Sequence, residues 1–449
     1  MRALLRLGLP LVGGHLAQFA IGMTDAAMLG WYSVEALAAV VLGATLFLQI
    51  FILGSGFAMA VMPMVAEAQA QGNQVLVRRI ARMGLWLSLG YALASLPIFW
   101  FSGAVLIGLG QDAELALATQ GYLRIAGFGI LPALLVMVLK SYLAALEHTR
   151  AVLWITVLAA LINVAANYAL IFGHWGAPEL GLAGAALGSI VVQVVSLVGA
   201  VGYALYALPA HRLFHRLWRA DTEILRKVFH LGVPIGLTGC AEAMLFAMAT
   251  MMMGWLGKIP LAAHGIAINL AGATFMIHLG LSNAATVRVG NALGRRDADH
   301  MARGAAVACL LSVLVSGCVI AAFLLIPEAL IGLFLAVDEP KRDAIMAAGV
   351  ALLTVAALFQ LVDGAQVVAL GLLRGVMDTR IPMWIAVVSY LLIGVPCAYG
   401  LGFRAGWGGV GVWLGFVVGL SVAGIWLMWR FWGPKLRALR VAWAQEAHR

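Results

Sequence analysis

The chain has 449 residues, 63% of them hydrophobic and only 10% charged, with a mean hydropathy of +1.01; soluble domains carry about 25% charged residues, so water is excluded as the main solvent. Its 28 basic and 19 acidic residues give a net charge of +9, and apolar stretches near or above the roughly 20 residues that cross a bilayer recur from end to end, leaving no segment for a soluble catalytic domain. Cys240, Cys309, Cys318 and Cys397 lie in apolar segments without CxxC or His-paired spacing, so neither a disulfide framework nor a sulfur-ligated metal is expected.

In chain order, hydropathy places spans at 8–31, 37–65, 83–109, 118–144, 151–173 and 181–208, then at 229–256, 261–287, 303–326, 344–372, 381–403 and 408–432. The charged start around Arg2 and Arg6 imitates a signal peptide, but the apolar run after Gly8 continues past Gly22 without a cleavage site, so it reads as an uncleaved first span. Every second loop is basic. One side collects Arg2 and Arg6, Arg78, Arg79 and Arg82, Lys140 and Arg150, the group from Arg212 to Lys227, Arg288 to Arg303, Arg374 and Arg380, and the tail from Arg430 to Arg449. The other side has only Arg124, Lys258, Lys341, Arg342 and Arg404. Because Lys and Arg gather in short cytoplasmic loops, both termini are expected in the cytoplasm. The same asymmetry accounts for the positive net charge without any nucleic-acid partner.

The chain also repeats itself at an offset near 224 residues. Gly8-Leu9-Pro10 returns as Gly232-Val233-Pro234, and Leu29-Gly30-Trp31 with Leu37-Ala38-Ala39 returns as Met253-Gly254-Trp255 with Leu261-Ala262-Ala263. His148-Thr149-Arg150 with Trp154 corresponds to Asp378-Thr379-Arg380 with Trp384, and the run from Gly181 to Gly188 corresponds to that from Gly408 to Gly415. Each repeat holds an even number of spans, so the halves share one orientation. An all-α membrane protein of twelve transmembrane helices follows, two parallel six-helix bundles around a central cleft. Its parts are an N-terminal lobe over 1–208, a linker over 209–228 and a C-terminal lobe over 229–449 with a short basic tail. In the linker, Leu213, Phe214, Leu217 and Trp218 oppose Arg212, His215, Arg216 and Arg219 at helical spacing, which suits the cytoplasmic interface.

Of the acidic residues, only Asp25, Glu242 and Asp363 fall well inside spans. An acid at the centre of a spanning helix costs about 2.5 to 3.5 kcal/mol on insertion scales, and such residues by default face a cavity and mark ion or proton paths. No Lys or Arg is expected deep enough to neutralise them, so their partner is a proton, a metal cation or a cationic substrate. The alternative for any one of them is a hydrogen bond between helices. Asn163 and Asn167 stand one helical turn apart and share a face; they either ligate a cation through oxygen or join neighbouring helices. Gln49, Asn269, Asn283, Gln360 and Gln366 are candidates for lining a substrate cleft, with the same alternative. His15, His264 and His278 are further polar residues inside spans.

Several of these residues fall in recognisable runs: Met23-Thr24-Asp25-Ala26-Ala27-Met28-Leu29-Gly30, the stretch from Asn163 to Gly173 (NVAANYALIFG), Glu242, and Phe359 to Gln366 followed by Gly371-Leu372-Leu373-Arg374-Gly375 and Asp378-Thr379. Together they resemble the multidrug and toxic compound extrusion family, particularly its NorM-like bacterial branch, over nearly the whole chain. The resemblance implies a secondary active transporter, not an enzyme. Such a protein exports small cationic amphiphilic substrates by antiport with protons or sodium ions through alternating access, needs no cofactor, and works as a monomer among the lipids of the bacterial inner membrane. It implies coupling-ion roles for Asp25, Asn163 and Asn167, a possible sodium site, and for Glu242 and Asp363. Val164 stands where the fifth-helix signature often has proline. Phe359 replaces a tyrosine found in some relatives, which removes an oxygen ligand and favours proton coupling or a sodium site in the N-terminal lobe. A lipid-linked sugar flippase of the same superfamily is the alternative, although an anionic pyrophosphate calls for basic side chains in the cleft. An intramembrane enzyme is the more distant one, since no embedded Ser/His pair or HExxH motif is present.

Overall fold

The computed structural model describes residues 1–336 and 340–447, which are helical throughout their length apart from turns, with no strand among them. Among the described residues, twelve helices are long and apolar enough to cross a membrane. They are α1 (Arg2–Tyr32), α2 (Ala38–Ala70), α3 (Gln74–Trp100), α4 (Ala113–Ala145), α5 (Thr149–Phe172), α6 (Gly181–Ala207), α7 (Thr222–Leu256), α8 (Lys258–Arg295), α9 (Ala298–Leu325), α10 (Arg342–Gly375), α11 (Arg380–Arg404) and α12 (Gly408–Glu446). Each expected span has its helix.

The α3 helix, expected over 83–109, is shifted toward the N-terminus at both ends. It starts instead behind Asn73, whose side chain accepts from the Leu76 amide at 2.9 Å, and it ends before Phe101, after which a separate short helix covers Ser102–Gly108. Arg78, Arg79 and Arg82 thus lie within the helix. Hydropathy reads them as loop, yet arginine is a good helix former, and two of them find partners on the linker. Arg79 pairs with Asp221, and the Arg82 guanidinium donates to the carbonyls of His215 and Arg216 at 2.8 and 2.9 Å. That pairing holds the Asp221 carboxyl below its usual range. The linker itself is not a helix over 212–220. A single 3₁₀ turn covers Pro209–His211 and turns follow, because Arg212 and Arg216 take left-handed backbone angles of φ 44° and 55°. Trp86 fastens it further, donating to the Leu217 carbonyl at 2.7 Å.

Compactness divides the chain into Gly13–Gly236 and a second unit of Met1–Val12 with Leu237–Arg449. In the first unit, Gly56 lies against the backbone of Gly232 and Gly236, and Phe57 stacks on Phe229 at 5.8 Å. In the second, Gly280 lies against the backbone of Val12, where an added Cβ would come within 2.6 Å of its nitrogen. Gly56 and Gly280 are 224 positions apart, so the same close approach recurs at the repeat offset.

Within the second unit, α10 carries Gly364, Gly371 and Gly375 on the side facing α8. A Cβ at Gly364 would meet His278 at 2.8 Å, and one at Gly375 would meet Val289 at 2.7 Å. Small residues let helix backbones approach closely in a membrane. Here the approach permits Ser282 and Thr286 to donate to the carbonyls of Val367 and Gly371 at 2.7 and 2.8 Å. The α11 helix is not regular: Val388–Gly394 and Gly400–Arg404 have π-helical hydrogen bonding.

Candidate functional site

The two groups of embedded acids fall in different units, and each is built by helices of its own unit. In the first, Asp25 of α1 accepts at one oxygen, Oδ1, from Nδ2 of Asn163 at 2.8 Å and from Nδ2 of Asn167 at 2.6 Å. The one-turn spacing on α5 puts both amides on the same carboxylate. Both asparagines are fully buried, and their own Oδ1 atoms have no hydrogen-bond partner. Gly188 on α6 makes room for one of them: a Cβ there would lie 2.6 Å from Asn167 Oδ1. The group therefore combines one acid with two amide oxygens. Rotating the amides would turn those oxygens toward a cation beside Asp25.

The second unit joins Glu242 of α7, Asp363 and Gln366 of α10 and Tyr390 of α11. Gln366 Nε2 donates to Glu242 Oε1 at 2.8 Å and to Asp363 Oδ1 at 3.2 Å. Gln366 Oε1 accepts from the Tyr390 hydroxyl at 2.6 Å. Asp363, Gln366 and Tyr390 are fully buried, and Asp363 Oδ2 has no partner. Arg374, expected on the cytoplasmic side, lies in the last turn of α10 and is close enough for its charge to act on Glu242. Phe359 packs edge-on to Phe246 and Trp413, with ring centroids 6.1 and 5.6 Å apart, and presents only apolar surface.

The five cleft candidates occupy unlike places. Gln366 bridges the acids, and Gln360 is fully buried, donating to Thr274 Oγ1 at 2.6 Å. Asn283 is buried, Gln49 is half-buried, and the exposed Asn269 donates to the carbonyl of Gly265 on its own helix at 2.8 Å. The histidines separate by their partners. Trp413 Nε1, which can only donate, lies 3.1 Å from His264 Nδ1, so that ring is neutral and gives its Nε2 proton to Thr250 at 3.1 Å. His278 lies between the hydroxyls of Ser312 and Ser316 at 3.0 and 3.4 Å. Sequence reasoning did not single out Tyr390. Its one signal is a hydroxyl ten positions into a span, whereas tyrosine gathers at membrane interfaces.

The MatE family model matches residues 10–169 and again 234–400. The two matches begin 224 positions apart, which is the offset of the internal repeat. A probable multidrug resistance protein NorM of Rhizobium meliloti (strain 1021) is 44% identical over 432 residues, covering 96% of this chain and 92% of that one. A protein of the same description from Agrobacterium fabrum (strain C58 / ATCC 33970) is 43% identical over 432 residues, covering 96% and 93%. The fold is shared with a solved outward-facing conformation of a multidrug resistance MATE family transporter of the MOP superfamily. The TM-score is 0.87 at 20% identity, covering 98% of this chain and 96% of that one. By the residues of its embedded groups, its doubled six-helix pattern and these relatives, the chain belongs to the multidrug and toxic compound extrusion (MATE) family of multidrug efflux transporters.

Proposed function

We propose that the chain exports small amphiphilic cations by exchanging them for an incoming coupling ion, with the Glu242–Asp363 pair taking protons. The observation that carries this reading is Asp363 Oδ2, a fully buried carboxyl oxygen without a donor. A buried charge left unpaired is costly, and such a group takes up a proton or a cation instead. Proton and cationic substrate then compete for the same negative charge, and by reciprocal linkage each lowers the other's affinity. A membrane potential adds about 2.3 kcal/mol per charge per 100 mV when net charge moves. Alternating access between N-terminal and C-terminal lobes exposes the carboxylates first to one side of the inner membrane and then to the other. The termini face the cytoplasm, and a single chain suffices.

The unpartnered amide oxygens of Asn163 and Asn167 support a second reading, a sodium ion at Asp25. Everted membrane vesicles separate the two. A proton gradient and a sodium gradient are imposed in turn and ethidium uptake is followed by fluorescence. Asp363→Asn is expected to abolish proton-driven uptake, and Asp25→Asn to abolish any sodium-driven uptake. Uptake that survives both substitutions in one protein refutes the assignment of exchange to these carboxylates.

A further inference from the structure

Between Glu242 and Asp363 stands a single amide nitrogen, and its direction is set from the other end of the amide. A carboxylate only accepts hydrogen bonds, so the end of Gln366 that faces both acids is the NH₂ end. The oxygen end then faces Tyr390, and because an amide oxygen only accepts, the Tyr390 hydroxyl is the donor across those 2.6 Å. With half a turn of the amide, its oxygen would stand against Glu242 Oε1 and Asp363 Oδ1. That is tolerable only when those atoms carry protons. The direction of Gln366 and the protonation of the acids are therefore mutually dependent, and Tyr390 fixes the direction. Tyr390 belongs to the π-helical stretch Val388–Gly394, and such single-turn departures from α geometry are frequent at functional sites.

Resting on the reading that these acids exchange protons for substrate, the geometry points to Tyr390 and Gln366 as the positioning pair that decides which oxygen takes the coupling proton. Gln366 holds Glu242 Oε1 and Asp363 Oδ1 as anionic acceptors, since a hydrogen bond to the charged form favours that form. Asp363 Oδ2 receives no such donor and is the atom left to bind the proton. On loading, one proton passes from water to Asp363 Oδ2. On release it returns to water as the cationic substrate arrives, and Tyr390 keeps its own proton throughout.

The titratable and charged groups around Asp363 are Glu242 from α7, Tyr390 from α11, and Arg374 from α10 itself acting on Glu242. From α8, His278 lies against the neighbouring Gly364. Serine hydroxyls face inward from α9, and Gly424 of α12 lies 3.6 Å from the Gln366 backbone, measured from an added Cβ. Removing the Tyr390 hydroxyl alters none of these charges and frees only the amide.

The test is the binding of tetraphenylphosphonium to the purified transporter in nanodiscs as a function of pH, with the infrared C=O band of protonated carboxyl groups recorded in parallel. For the unaltered chain, affinity falls as pH falls. Tyr390→Phe is expected to move the midpoint of that fall, and the appearance of the carboxyl band, to higher pH by about one unit, with affinity at the alkaline end retained. Gln366→Met leaves Tyr390 in place, nearly conserves size and removes both donors, so it shifts the midpoint the same way and stands in should the tyrosine variant fail to fold. A midpoint and band unchanged in either folded variant overturn the inference. Asp363→Asn that keeps the pH dependence overturns the exchange reading itself.

Discussion

Asn163 and Asn167 give their hydrogens to one oxygen of Asp25, whereas one nitrogen of Gln366 serves two acids. The first arrangement concentrates donors on a single charge, and the second shares donors between two. A hydrogen bond to a charged group contributes about 1.5 to 3 kcal/mol, on the order of tenfold to a hundredfold in an equilibrium constant. When the amides turn their oxygens to a sodium ion beside Asp25, Asn167→Ala removes one charge-assisted contact of that size, so it is expected to raise the half-saturating sodium concentration at least about tenfold. Initial rates of gradient-driven ethidium uptake read that change, and they should keep the ion dependence of the Glu242–Asp363 pair. Asp25, Glu242 and Asp363 are legible in the sequence because an acid is conspicuous where hydrocarbon surrounds the helix, and the asparagines because one turn of spacing puts them on one face. The roles of Gln366 and Tyr390 are not legible. They depend on which helices are neighbours, and the separation of 24 positions between them carries no periodic signal.

At the scale of elements, glycine decides where helices touch. An added Cβ at Gly280 would come within 2.6 Å of the Val12 nitrogen, and one at Gly56 would meet the Gly232 carbonyl. Backbone cannot turn aside as a side chain can. Gly56→Ala and Gly280→Ala are each expected to destabilise the protein by about 1 to 3 kcal/mol, read as a lowered midpoint of thermal unfolding in detergent. Gly90→Ala, with nothing within 4 Å of the new methyl group, is the contrast; it should leave the midpoint unchanged or raise it, since alanine is the better helix former. Helix existence is legible from hydropathy, but helix ends are less so. Hydropathy reports the extent of hydrocarbon, whereas α3 continues past it toward Asn73 because Arg79 and Arg82 find partners on the linker. The linker shows the converse, as apolar residues at helical spacing do not make a helix where Arg212 and Arg216 turn left-handed.

For the whole molecule, the number of spans and the doubling were legible because hydropathy and repeated motifs are properties of the chain order. Compactness was not, since it groups Met1–Val12 with the later half through contacts such as Gly280 with Val12. Charge asymmetry yields a prediction at this scale: tags on both termini should be removed by protease added to everted vesicles and spared in right-side-out ones. A tag with the opposite behaviour would reverse the assigned orientation. The irregular stretch of α11 bears on how the halves came to differ. Trp154 and Trp384 correspond across the repeat 230 positions apart, but Asn167 lies against Gly188 as Ala398 lies against the matching Gly415, 231 positions on. The later copy thus holds one surplus residue, and Val388–Gly394 lies between those two markers. The wider π turn accommodates the insertion locally and brings Ala398 back into phase with its counterpart, while residues inside the stretch take directions that the earlier copy does not use. Tyr390 falls there, opposite plain alanines at 159 and 160, so the hydroxyl that orients Gln366 has no counterpart in the earlier copy.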